Sequence, residues 1–222
     1  ANTQGRDMGA VITDLRAKLS GLDLPAGYFL SYEGQFKSQQ DAARLIGALA
    51  VVSLAAIFLV LYSQFRSSNL ALVIMANVPM ALIGSVAAIW LSDATLSVAS
   101  LVGFITLTGI AARNGIMKVS HYLHLMEREG EGFTEQMVMR GSLERLTPVL
   151  MTALVAALAL IPLVLSAGEP GKEILHPVAV VIFGGLISST LLDSLVTPVV
   201  FRLVGRNACQ THLAAALPAA AE

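Results

Sequence analysis

Five uninterrupted apolar stretches, each about as long as a bilayer core is thick in helical residues, leave this chain few folds to adopt. They lie near residues 43–63, 69–91, 96–122, 147–167 and 175–201. At a helical rise of ~1.5 Å per residue, ~20 residues cross the ~30 Å hydrocarbon layer. Inside that layer every backbone N–H and C=O must find a partner within the protein, which selects helices over irregular structure. The expected fold is therefore an all-α transmembrane bundle of five spans, occupying residues 42–206. Charge agrees: only 13% of residues are charged, against about 25% in soluble domains. The net charge of −1 gives no basic footprint for nucleic acid.

The flanks differ in kind. Residues 1–41 are polar. Met8, Val11, Ile12, Leu15 and Leu19 fall at helical spacing, Pro25-Ala26-Gly27 makes a turn, and Tyr28 to Tyr32 alternates like a short strand. One helix and one strand cannot bury a core, so this stretch reads as a short α/β remnant of a water-exposed domain. The first residues are Ala-Asn-Thr with no signal-peptide pattern, which suggests a piece of a longer protein. Residues 123–146 read as a polar, helix-capable connection at the interface. Residues 207–222 form an alanine-rich tail, expected to be mobile, and hold the single cysteine, Cys209.

Basic residues orient the bundle. Arg66, Arg128, Arg140, Arg145, Arg202 and Arg206 share one side under strict alternation, and Lys172 alone lies in the opposite short loops. The arginine-rich side is expected to be cytoplasmic, with the amino-terminal segment exported and the carboxy terminus inside.

Ionisable residues inside spans are the sites to watch, because charge at bilayer depth is costly unless paired or hydrated. Arg113 and Asp193 each lie about ten residues, or ~15 Å, from the arginine-rich end. They either pair with each other across helices or find separate partners. Asn114 adjoins Arg113 and can bond across helices. Lys118 reads as a headgroup anchor that snorkels, Arg145 by spacing as another anchor, and Thr152 as a hydroxyl bonded to its own helix. Asn77 precedes Pro79 and is expected to repair the proline kink. His121 and His124 share a helix face at a spacing able to ligate metal, yet no cysteine or carboxylate cluster completes a site. An interfacial role suits them better. Met75, Met80 and Met117 read as apolar filler rather than a soft-metal relay. Small residues line two spans, Gly103, Gly109, Ala112 and Gly115 in one and Gly184, Gly185, Ser188 and Ser189 in the other, as close helix packing requires. No nucleophile–base set or cofactor motif suggests an enzyme.

Three runs then carry a family likeness: SLVGFITLTGIAARNGIMKVSHYLHLMEREGEGFTEQMV, RLTPVLMTALVAALALIPLVL and VVIFGGLISSTLLDSLVTPVVF. In order and spacing they resemble the carboxy-terminal half of resistance–nodulation–division efflux pumps, most of all the heavy-metal branch. GRDMGAVITDLRAKLSGLDLPAGYFLSYEGQF resembles the end of that family's periplasmic porter domain. The resemblance implies a proton-driven antiporter, a homotrimer in the lipid of a Gram-negative inner membrane. It would join a periplasmic adaptor and an outer-membrane channel. It implies that Arg113 and Asn114, with Arg145 and Thr152, partner proton-relay acids on a helix outside this chain. Copper and silver exporters often carry an acid at the Arg113 position, so divalent metal cations or a small organic molecule are the expected substrates. A protein-translocation or receptor relative built on the same repeat is the remaining alternative.

Overall fold

The computed structural model describes residues 8–19, 35–92 and 96–216. It divides into two compact units, Ala1–Ala48 and Leu49–Glu222. In the first, the helix expected from sequence is α1, Met8–Leu19. The strand expected at Tyr28–Tyr32 lies outside the described residues, among which no strand occurs. The α/β character expected of this segment is thus seen only in its helix.

The spans follow as α2 (Gln35–Phe65), α3 (Ser68–Met75) with α4 (Asn77–Leu91), α5 (Val98–Arg128), α6 (Glu135–Val164) and α7 (Leu175–Ala216). Five stretches within them are long and apolar enough to cross a membrane. Local chemistry sets their ends. Arg66 adopts φ 51° between α2 and α3, letting Ser67 cap α3 through a hydrogen bond from the Leu70 N–H. A Ser97–Ser100 capping box starts α5, and Thr134 accepts from the Met137 N–H to start α6.

Three boundaries differ from the sequence reading. The second span breaks at Ala76, where Pro79 cannot donate to the Met75 carbonyl one turn back. The polar stretch at 123–146 is mostly not a separate segment: α5 runs on to Arg128, and α6 begins at Glu135. Its charges pair along the helix ends, which lets those ends project past the apolar core. Finally, α7 continues to Ala216, past the point where the tail was expected to begin, and Cys209 is buried.

Only 6% of the most apolar window of α2 and of α6 is buried, against 39–44% in the other three spans. Those two helices are therefore peripheral, and the inner layer is α3–α4, α5 and α7. At one level α4 and α7 cross with backbones nearly touching: a Cβ at Gly84 would overlap Ser188, and one at Gly184 would overlap Ala88. Hydrogen bonds from Ser85 Oγ to the Val181 carbonyl (2.7 Å) and from Ser188 Oγ to the Met80 carbonyl (2.8 Å) tie the crossing. The largest core cluster sits at the arginine-rich end, where Leu61, Phe65, Leu70, Ile74, Tyr122, Met137 and Phe201 pack together.

Candidate functional site

Two polar systems occupy different faces of α5. Lys118 follows Arg113 by five residues, so their side chains point about 140° apart around the helix. The first face looks towards α7, the second towards α6.

On the α7 side, the Lys118 ammonium lies 2.6 Å from Asp193 Oδ2 and 2.8 Å from the Asp193 carbonyl oxygen. Both side chains are almost wholly buried, at 4% and 3% exposure. Lys118 is therefore no headgroup anchor, and Asp193 pairs with it rather than with Arg113. Thr197 Oγ1 extends the system, 2.6 Å from Asp193 Oδ1 and 2.7 Å from Asn77 Oδ1. A hydroxyl has one proton, and the ionised carboxylate only accepts, so that proton belongs to Asp193. Asn77 then satisfies Thr197 best with its amide turned over, presenting N–H to the hydroxyl. The same turn gives Asn77 Nδ2, otherwise buried without a partner, the Thr197 hydroxyl, and leaves the amide oxygen in the position beside Gly115. Gly115 makes the space, because a Cβ there would lie 2.5 Å from that position. Asn77 thus bonds across to α7 instead of repairing the kink at Pro79.

On the α6 side, Arg113, Asn114 and Thr152 line an open groove of about 340 Å³ together with Thr106, Gly109 and Leu186. Arg113 is exposed there, and among the described residues no carboxylate lies within ion-pair distance of it. Asn114 is 7% exposed. Thr152 Oγ1 donates to the Val149 carbonyl at 2.9 Å, as its place in a helix suggests, and still borders the groove. Three of the four expected relay residues therefore meet at one place.

The fourth, Arg145, lies two turns from Thr152 on the same face of α6, nearer the arginine-rich end. Its Nη2 is 3.4 Å from His121 Nδ1, and its Nε is buried with no hydrogen-bond partner among the described residues. His121 Nε2 lies 2.7 Å from Glu144 Oε2. Glu144 in turn accepts from Arg140 Nε at 2.8 Å, and Arg140 also pairs with Glu129 (2.8 Å) and Glu131. His121 and His124 stack with ring centroids 6.4 Å apart. Among the described residues no three His, Cys, Asp or Glu side chains converge as a metal site would need. The Lys118–Asp193–Thr197 system and the His121–Glu144 contact escape a reading by spacing, because each joins side chains on different helices, 75 and 23 residues apart.

Comparison with known proteins adds an independent observation. Residues 1–205 match the AcrB/AcrD/AcrF family model. The chain is 37% identical over 93% of its length to the cobalt-zinc-cadmium resistance protein CzcA of Cupriavidus metallidurans. It is 34% identical over 99% to the nickel and cobalt resistance protein CnrA of the same organism, and 30% identical over 91% to the cation efflux system protein CusA of Escherichia coli. It spans 19–20% of the length of these relatives. A crystal structure of a heavy metal efflux pump superposes with a TM-score of 0.75 at 33% identity, over 91% of this chain and 20% of that one.

Proposed function

Because the chain belongs to the AcrB/AcrD/AcrF family, we propose that it is the carboxy-terminal membrane part of a proton-driven heavy-metal efflux pump. The observation that carries the proposal is Arg113, a mid-span guanidinium exposed in a groove beside Asn114 and Thr152 with no carboxylate near it among the described residues. A charge at that depth calls for a counter-charge. The matching geometry is a helix from the rest of the pump, laid into the groove with an acid facing Arg113. Protonating that acid would weaken its hold on Arg113 and Arg145, giving two states that differ in charge pairing, which is what coupling requires.

The rest of the reading follows the family. The arginine-rich end faces the cytoplasm of a Gram-negative cell, and the segment before α2 completes a periplasmic α/β porter domain. The working unit is a homotrimer joined to an adaptor and an outer-membrane channel. Divalent cations are the substrate class, supported by the metals in the names of CzcA and CnrA.

The test is R113A in the full-length pump. Cells should lose zinc and cobalt resistance to the level of cells without the pump, while the trimer still assembles. Normal resistance with a normal trimer rejects the assignment. Sensitivity restored to organic dyes alone, with metals unaffected, would favour an organic substrate instead.

A further inference from the structure

The polar seam between α5 and α6 does not stop at the groove. His121 lies eight residues beyond Arg113, and Arg145 seven residues before Thr152, so the seam continues ~10–12 Å towards the arginine-rich end. There the imidazole of His121 is held at both nitrogens, by Arg145 at Nδ1 (3.4 Å) and Glu144 at Nε2 (2.7 Å). A guanidinium can only donate and a carboxylate can only accept. Nδ1 is therefore the bare nitrogen and Nε2 carries the hydrogen. The His121 side chain is 12% exposed and that of Glu144 39%, so the contact runs from a nearly sealed ring to an open carboxylate. On the sealed side, the buried Arg145 Nε has no partner among the described residues. A free donor of this kind is where water docks in a protein interior.

From this arrangement we infer that His121 and Glu144 form the proton exit of the membrane domain, passing protons from the level of Arg113 and Thr152 to the arginine-rich face. The inference rests on the proton-driven reading above and adds two residues to it. A proton brought by water adds to Nδ1, displacing the Arg145 contact. The Nε2 proton passes to Glu144 Oε2, leaving the ring neutral with its hydrogen on Nδ1. Glu144 releases its proton to bulk water. A ring turn then presents the bare Nε2 to the inner water and Nδ1–H to Glu144, so the next proton enters at Nε2 as the Nδ1 proton leaves, and the turn back restores the first tautomer. One proton enters and one leaves at each turn. The charged groups facing the ring are Glu144 and Arg145 from α6, with Arg140 behind Glu144, and His124 stacked on its own helix. No group of α7 hydrogen-bonds to the ring among the described residues.

The test uses the full-length pump in proteoliposomes carrying a pH-sensitive dye, with zinc ions as the probe. H121Q keeps an amide N–H for Glu144 but cannot take up and pass on a proton. We expect it to assemble as wild type while zinc-coupled proton flux falls at least about tenfold, as general acid–base groups contribute. Added imidazole should restore flux to H121A. Flux in H121Q within twofold of wild type overturns the relay, as does an inactive H121A that imidazole fails to recover. Zinc transport by the wild type without any proton flux would instead defeat the antiport reading, and the relay with it.

Discussion

Cys209 shows how one side chain's surroundings fix its chemistry. Its Sγ is buried in the cluster at the arginine-rich end, and desolvation pushes the thiol up to about 12 from an ordinary value of 9.0. The thiolate is the reactive form, so Cys209 should label slowly with maleimide at pH 7–8 and quickly only after denaturation. The sign of the stability effect follows. The raised acid contributes stability in full below pH 9, and that contribution is lost as pH climbs towards about 12, because the unfolded thiol ionises first. A thermal melt of the purified protein across this window should fall more steeply for wild type than for C209A. Rapid labelling of the native protein at pH 7.5 would contradict the burial. The sequence shows only a lone cysteine in a polar tail; its burial depends on α7 continuing past Arg206.

At the scale of helices, the Lys118–Asp193 pair and the Gly84–Gly184 crossing fix α7 against its neighbours. Leaving one buried charge without its partner costs about 3–5 kcal/mol, whereas replacing both by apolar groups of similar size is near neutral. D193A should therefore lower the melting temperature sharply, and K118M/D193L should recover most of the loss. A double variant as unstable as D193A would mean that the pair does more than hold helices together. At the crossing, G184L must force the backbones apart at a cost of about 1–3 kcal/mol, whereas G47A, with nothing within 4 Å of a Cβ, should melt like wild type. Equal melts for the two would show that α4 and α7 do not cross as described. These elements also show where sequence reasoning runs out. Depth along the helix matched Asp193 to Arg113, but rotation about the helix decides partners. Lys118 sits ~7.5 Å nearer the end, a gap its long stem closes by reaching back to Asp193. Nothing in a hydropathy pattern shows that angle.

For the molecule as a whole, the five apolar stretches made the bundle legible, since length and polarity alone dictate spanning helices. The likeness of three runs to known pumps then brought Arg113, Asn114 and Thr152 together before any coordinates, and they do line one groove. Arg145 stands apart from it, beside His121, which spacing alone had assigned to the interface. The α4–α7 crossing carries a consequence for synthesis. One partner ends at Leu91 and the other begins at Leu175. At ~5–20 residues per second, the first waits on the order of ten seconds after leaving the ribosome before its mate exists. Until then its small-residue flank at Gly84 and Ala88 must be sheltered by lipid or by insertion machinery, so the bundle closes only when α7 is delivered.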